Sequence, residues 1–138
     1  MVLDASVGAK WCLPDEPHEG AAALLDKHQR SQVNLLVPDL FWPELTAVLA
    51  RAVRRGRITP LAAERSLEAV RALDMPTHPT GALSAQALSL SVQWQLPAYD
   101  LFYVLLAQSL GDEMITADER LVRTLGSRFP VRWLDALT

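Results

Sequence analysis

Short apolar runs alternate along this chain with longer segments in which apolar residues recur every three or four positions. The short runs predict strands at 2–3, 34–37, 75–78, 114–116 and 131–133. The longer segments predict helices at 5–13, 17–30, 38–55, 60–73, 80–94, 98–110 and 119–125. This alternation is typical of an α/β fold whose short, mostly parallel central sheet is covered by helices on both faces. We expect one domain over residues 1–138, because no linker, repeat or low-complexity segment interrupts the pattern.

The third predicted helix carries a regular apolar stripe and one acid that does not belong to it. The stripe consists of Phe41, Leu45, Val48, Leu49, Ala52 and Val53. Glu44 falls inside or at the border of this stripe. A glutamate there either covers apolar surface with its stem while its head reaches water, or serves chemistry at the start of the helix. In the next helix we expect inward side chains at Leu61, Leu67, Val70 and Leu73.

Three aspartates stand where predicted strands end or helices begin. Asp4 ends the first strand, Asp118 follows the fourth, and Asp100 lies in a helical first turn. Each has a structural explanation, because a carboxylate at a helix start can cap the helix or offset the positive end of its dipole. In a parallel sheet, however, the carboxyl ends of the strands lie at one edge, where loops lead into helices. We therefore expect Asp4, Asp100 and Asp118 to converge there with Glu44.

A cluster of carboxylates needs a cation, because two unit charges 4 Å apart repel by roughly 4 kcal/mol at an effective dielectric constant near 20. Mg²⁺ or Mn²⁺ suits this cluster, since nearby residues such as Ser6 and Thr116 offer oxygen and no Cys or His accompanies them. Such a cation supports phosphodiester hydrolysis by activating a water and neutralising charge on the phosphate. The acids therefore predict a metal-dependent phosphodiesterase.

Composition limits the classes of protein to which the chain can belong. Of 138 residues, 50% are hydrophobic and 21% charged, which excludes disorder. No apolar run reaches the roughly 20 residues needed to span a bilayer, and no signal-like segment opens the chain. We therefore expect a soluble, cytoplasmic protein without a membrane partner. The single cysteine, Cys12, is expected to be buried in a reducing compartment.

Four sequence blocks resemble those of one family. They are LDAS at 3–6, VPDLFWPELTAVLARAVRRGRI at 37–58, LPAYDLFYVLLAQSLG at 96–111 and MITADERL at 114–121. In order and spacing they are similar to the PIN-domain ribonucleases, and within them to the VapC-type toxins of bacterial toxin–antitoxin pairs. The resemblance spans nearly the whole chain, although the segment 57–94 carries little of it.

The resemblance implies a three-layer PIN-like fold and an Mg²⁺- or Mn²⁺-dependent endoribonuclease. The site residues of the family fall on Asp4, Glu44, Asp100, Asp118, Thr116 and Ser6. The four acids would hold the metal, and Thr116 would position a water or a phosphate oxygen. The family also implies a homodimer that is inhibited by a small cognate antitoxin protein.

RNA and an antitoxin would need further surfaces. The net charge of -3 gives no global sign of nucleic-acid binding. Local candidates for contacts with RNA phosphates are Ser6, Lys10, Arg51, Arg54 and Arg55. Such contacts give affinity and salt dependence rather than sequence choice.

Trp42 lies away from the apolar stripe, so we expect it to line a groove for an amphipathic antitoxin helix. Trp11 and Phe41, in contrast, are expected in the core.

Other interpretations stay open on the residues alone. A phosphatase of the haloacid dehalogenase type would need a second aspartate two residues after the first, where this chain has Ser6. A receiver domain would need a late lysine, and the only lysines here are Lys10 and Lys27. A PIN-like fold used only for binding would typically lack one or more of the four acids, all of which are present.

Overall fold

The computed structural model describes residues 1–137 and has the alternating order that the sequence predicts. The strands are β1 (Val2–Leu3), β2 (Val37–Pro38), β3 (Thr77–His78), β4 (Met114–Thr116) and β5 (Val131–Trp133). The helices are α1 (Ala5–Cys12), α2 (Glu19–Gln29), α3 (Phe41–Arg54), α4 (Pro60–Arg71), α5 (Ser84–Trp94), α6 (Ala98–Ser109) and α7 (Glu119–Leu125). Short 3-10 turns at Gly81–Leu83 and Leu134–Leu137 precede α5 and follow β5.

The strand pairs within residues 1–137 are all parallel. β1 pairs with β4, β4 pairs with β5, and β2 pairs with β3. A bridge between Val2 and Leu36 joins the two groups, so the strands lie in the order β3-β2-β1-β4-β5. The prediction of a short parallel sheet is confirmed. The second strand begins later than predicted, because the chain before Val37 contributes only the Leu36 bridge to the ladder.

Successive residues of the central strands face opposite layers, as the pleat of a strand requires. Leu3 and Ile115 contact the core that α1 to α4 cover. Val2 and Met114 contact the core that α5, α6 and α7 cover. All four side chains are fully buried. The fold is therefore the predicted three-layer α/β arrangement. The central strands β1 and β4 are apolar at every position except Thr116, because both faces are covered.

The first turns of α1 lie against the start of α3 because Gly8 has no side chain. A Cβ atom at Gly8 would lie 2.9 Å from Phe41 Cζ, which is too close for two carbon atoms. Phe41 and Leu45 are fully buried, which confirms the predicted stripe, and Val48 is partly buried at its border. This close packing sets the position from which Glu44 projects.

One predicted inward side chain is wrong, and the other predictions about the core hold. Leu61 is 53% exposed, because α4 buries Ala63 and Val70, which lie on the other side of the helix. Cys12 is buried as expected. Trp11 is partly buried and its indole N–H donates a hydrogen bond to a backbone carbonyl.

Within residues 1–137, every helix is too short or too polar to cross a membrane.

Candidate active site

Asp4 is the most deeply buried acid of the predicted set, with 6% of its surface exposed. It follows β1 and begins α1, but its side chain does not cap that helix. Instead, Asp4 Oδ2 accepts hydrogen bonds from Ser6 Oγ at 2.5 Å and from Thr116 Oγ1 at 2.8 Å. Thr116 ends the neighbouring strand β4, so the parallel register of β1 and β4 brings these two residues together. The sheet therefore holds Asp4 in one orientation.

Backbone amides orient the two hydroxyl groups toward Asp4. The N–H of Ala117 donates to Ser6 Oγ at 3.0 Å, and the N–H of Asp118 donates to Thr116 Oγ1 at 3.1 Å. Because each hydroxyl oxygen already accepts from an amide, its proton is available for the carboxylate. Burial raises the pKa of Asp4, and the hydrogen bonds from Ser6 and Thr116 partly offset that rise.

Glu44 and Asp100 project from the first turns of α3 and α6. Burial, followed by the charges of Asp4 and Asp100, raises the pKa of Glu44 to about 7. Burial, followed by the charges of Asp4 and Asp118, raises the pKa of Asp100 to about 6. These mutual effects occur only between carboxylates that lie close together. The structure thus brings all four predicted acids into one cluster at the carboxyl edge of the sheet.

Asp118 has a structural role as well as a place in the cluster. Its Oδ1 accepts a hydrogen bond from the N–H of Leu121 at 3.2 Å and caps α7, as the sequence predicts. Its Oδ2 lies 3.9 Å from the guanidinium of Arg120, a side chain that is 90% exposed. Arg120 also acts to lower the pKa of Asp100. One carboxylate oxygen of Asp118 therefore holds the helix, while the other faces the cluster and solvent.

Comparison with known proteins identifies the family of this chain. The sequence model of the PIN domain matches residues 1–125. The chain belongs to the PIN domain family. It is 32% identical over 114 residues to VapC ribonuclease Mb0985 of Mycobacterium bovis, covering 80% of this chain and 88% of that protein. It is 29% identical over 134 residues to Ribonuclease VapC3 of Pyrobaculum aerophilum, covering 94% of this chain and 95% of that protein.

A solved structure supports the fold. The crystal structure of PAE2754 from Pyrobaculum aerophilum is similar to this chain with a TM-score of 0.75 and 24% sequence identity. The match covers 99% of this chain and 84% of that one. At this level of identity the likeness establishes the three-layer PIN fold and carries no assignment of residues.

The basic residues that the sequence nominates lie away from the acids of this PIN domain. Lys10 pairs with Glu16 at 2.9 Å, so its charge is already compensated. Arg51, Arg54 and Arg55 are exposed, and no ion pair engages them within residues 1–137. With 1.5 Å of rise per residue, Arg51 lies roughly 10 Å and Arg55 roughly 16 Å along α3 from Glu44. Helical periodicity places both on the flank of α3 that carries Glu44 and turns Arg54 away from it.

Sequence reasoning missed two side chains at the site of this PIN domain. Tyr103 is fully buried, and the charges of Asp4, Glu44 and Asp100 all act on its hydroxyl. Its position three residues after Asp100 places it on the same face of α6, but the surrounding apolar run makes it look like an ordinary core residue. Arg120 was missed because a first-turn arginine beside a capping aspartate gives no signal of its own.

The acids fit an oxygen-ligated, partly hydrated cation. Among residues 1–137, no three Asp, Glu, His or Cys side chains form a ready-made metal site. Mg²⁺ does not need one, because it usually keeps several waters and binds through one or two carboxylates. The carboxyl group of Glu44 is available to bind a cation, since its buried Oε1 makes no hydrogen bond within the described chain. The donor set of this PIN domain is therefore that of a hard divalent ion.

The raised pKa values predict how stability depends on pH without metal. Because folding raises the pKa of Glu44 to about 7 and of Asp100 to about 6, the folded state binds more protons than the unfolded state between about pH 4 and 7. The free energy of unfolding should therefore fall as pH rises through this window. Glu44→Gln should remove part of the slope and stabilise the metal-free protein above pH 7 by about 1–2 kcal/mol, after allowance for solvent screening.

Urea unfolding at several pH values in a chelating buffer measures this difference. Glu64→Gln, which changes an exposed acid of α4, serves as the control and should leave the profile unchanged. If the free energy of unfolding depends on pH in the same way for the wild type and Glu44→Gln, Glu44 is solvated like a surface acid.

Proposed function

We propose that this PIN domain is an Mg²⁺- or Mn²⁺-dependent endoribonuclease. The observation that carries the proposal is the cluster of four carboxylates from four different elements, three of which have pKa values raised mainly by burial. A fold without a ligand to bind there has no need to gather like charges at a cost of several kcal/mol. The relatives named as ribonucleases support RNA as the substrate.

Each residue of the cluster would have its own role in the reaction. Bound at the cluster, a divalent cation would supply an activated water and neutralise charge that develops on the scissile phosphate. Asp4, held by Ser6 and Thr116, would present a fixed carboxylate to that cation, and Glu44 and Asp100 would complete its surroundings. Thr116 acts through Asp4, since its hydroxyl is buried and already bonded. Asp118 would hold waters or a second, weaker ion.

Arg120 would bind the substrate. Its guanidinium is exposed beside Asp118 and near Asp100, where it can contact a phosphate oxygen that enters the site.

Neutralising one carboxylate tests the proposal. Asp4→Asn or Asp100→Asn should lower the rate of RNA cleavage in Mg²⁺ or Mn²⁺ by at least about 100-fold, because each removes a charged ligand of the cation. Both variants should unfold at a temperature no lower than the wild type without metal, since repulsion in the cluster is relieved. Gel-resolved cleavage and circular-dichroism melts measure the two effects.

Glu64→Gln changes an exposed acid of α4 and is the matched control, so this variant should cleave RNA at the rate of the wild type. If the Asp4 and Asp100 variants melt early and lose activity only in proportion to the folded fraction, these acids are structural caps. If the wild type binds RNA without cutting it, the chain is a binding module. Preferential hydrolysis of small phosphomonoesters would instead favour a phosphatase.

We propose that Arg51 and Arg55, on the flank of α3 that carries Glu44, guide RNA toward the acids and that Arg54, on the adjoining side of the helix, adds to the same basic end of α3. Their exposure and their freedom from ion pairs within residues 1–137 support this role, whereas Arg57 is already held by Asp15 at 2.8 Å and by Glu16 at 2.7 Å. Lys10 could contribute only after leaving Glu16.

Reversing the charge at Arg54 and Arg55 should raise KM for a structured RNA several-fold while changing kcat little, because phosphate contacts far from the chemistry act on binding. Cleavage by the wild type should also weaken steeply with salt. Arg30→Glu, on an exposed arginine that pairs with Asp26, is the control. Equal effects of the Arg30 and Arg54/Arg55 changes would show that net charge, rather than this edge, attracts RNA.

We propose that the chain is the toxin of a toxin–antitoxin pair and that its cognate antitoxin binds beside Trp42. A groove of about 450 Å³ lies between α3, α4 and β3, lined by Trp42, Leu67, Arg71 and Met75 among others. The Trp42 ring is held there, since its indole N–H donates to Thr77 Oγ1 at 3.0 Å and its ring packs perpendicular to that of Phe41 with centroids 5.0 Å apart. The groove is of mixed polarity, because Thr46, Arg71, Asp74 and Thr77 line it beside Trp42, Leu67 and Met75. An aromatic side chain with polar groups around it is a common anchor for a partner helix.

Trp42→Ala should weaken binding of the protein encoded by the adjacent reading frame by at least about tenfold, because a central aromatic anchor carries much of such an interface. Titration calorimetry measures the affinity, and Leu110→Ala, an exposed apolar change outside the groove, should leave it unchanged. Failure of the adjacent product to bind the wild type would leave a free-standing nuclease.

We further propose a cytoplasmic homodimer. Leu88 and Val92 on α5 and Tyr99 on α6 are 66%, 72% and 70% exposed, and together they form an apolar face with no partner within residues 1–137. Contiguous exposed apolar side chains often mark an interface. Sedimentation velocity over a range of concentrations tests this, and a strictly monomeric chain would refute it.

A further inference from the structure

Tyr103 carries a buried hydroxyl that the packing of the core does not explain. The residue lies on α6, is fully buried, and its Oη makes no hydrogen bond of ordinary geometry within residues 1–137. Leaving a buried hydroxyl unpaired costs free energy that phenylalanine would not incur at the same position. A tyrosine in such a place suggests that the hydroxyl has a partner in the working site.

The surroundings identify that partner. The charges of Asp4, Glu44 and Asp100 all act on the Tyr103 hydroxyl, so these acids lie near it. A phenol hydroxyl is protonated at neutral pH and can donate a hydrogen bond to a carboxylate. The backbone N–H of Ala5 faces the hydroxyl oxygen from the start of α1. With its oxygen directed at an amide donor, the hydroxyl proton is left for an acceptor.

Glu44 supplies the matching acceptor. Its Oε1 is likewise buried and without a hydrogen bond within the described chain, and the Tyr103 hydroxyl lies near enough to act on this carboxyl group. Pairing the two groups would satisfy both buried atoms and leave the second oxygen of Glu44 free for another partner.

We propose that Tyr103 is a positioning residue whose hydroxyl donates a hydrogen bond to the Glu44 carboxylate and so directs its other oxygen toward the cation. The inference rests on the proposed metal-dependent function and adds a residue to it. Hydrogen-bonded partners of metal ligands fix the orientation of the ligand and typically change metal affinity by roughly 10- to 100-fold.

Mn²⁺ binding tests this role without reference to catalysis. Tyr103→Phe keeps the ring and its packing and removes only the hydroxyl. It should weaken Mn²⁺ binding by about tenfold, measured by the electron paramagnetic resonance signal of free Mn²⁺ and by calorimetry. Tyr99→Phe is the matched control, because it removes the hydroxyl of an exposed tyrosine on the same helix and should bind Mn²⁺ like the wild type. Equal Mn²⁺ affinity in Tyr103→Phe and the wild type would overturn the proposal.

A double-mutant cycle in metal-free protein separates this inference from the proposed function. Urea midpoints are compared at pH 8, where Glu44 is ionised, for the wild type, Tyr103→Phe, Glu44→Leu and the double variant. Less than additive changes would confirm the Tyr103–Glu44 hydrogen bond, and additive changes would overturn it. If the wild type takes up no Mn²⁺ while the cycle shows coupling, the metal-dependent function fails but the hydrogen bond stands.

Discussion

The cost of burying like charges together is the constraint on which this structure depends. Asp4, Glu44 and Asp100 are each withdrawn from water, and burial raises the pKa of all three. The charges of Asp4 and Asp100 raise the pKa of Glu44 further, and the charge of Asp4 raises that of Asp100. Repulsion between two such carboxylates amounts to roughly 4 kcal/mol at 4 Å and an effective dielectric constant near 20. A domain whose total stability is about 5–15 kcal/mol cannot hold several ionised acids in contact without counter-charge. The raised pKa values of these acids are consistent with this cost, because a protonated carboxyl group avoids the repulsion.

The fold reduces this cost in part. Asp4 and Asp118 are the N-cap residues that precede α1 and α7. Glu44 and Asp100 lie in the first turns of α3 and α6. Four helix N-termini thus point their positive ends toward the cluster. Each contributes only about 0.3–1 kcal/mol, which is less than one pairwise repulsion. The helix dipoles therefore offset only part of the repulsion within the cluster, which leaves room for the stabilisation that the proposed divalent ion would supply.

The parallel sheet explains why four acids so distant in sequence meet. Each central strand ends at the same edge and leads directly into a helix, so an acid after β1 and an acid after β4 become neighbours once the strands pair. Thr116 shows how tight this arrangement is, since its hydroxyl joins the end of β4 to Asp4. The same architecture leaves the far ends of the helices remote from the acids, so the arginines at the end of α3 are too distant to contact a group bound between the carboxylates.

The sequence by itself determined the order of strands and helices, the parallel α/β class and the edge at which the acids meet. These features follow from local periodicity and from the rule that parallel strands share one carboxyl edge, both of which are visible in the residues around Asp4, Glu44, Asp100 and Asp118. The PIN family could also be identified, because its blocks occur in order along most of the chain.

Only the tertiary structure decided which side chains complete the site. Tyr103 belongs to an apolar run and is distinguished only by the acids that α1 and α3 bring to it. Lys10 is paired with a loop residue, Glu16, a contact that the sequence pattern does not reveal. Leu61 is exposed because the neighbours of α4 select which of its faces is buried. Contacts between residues distant in the chain determine these outcomes, and local periodicity carries no information about such contacts.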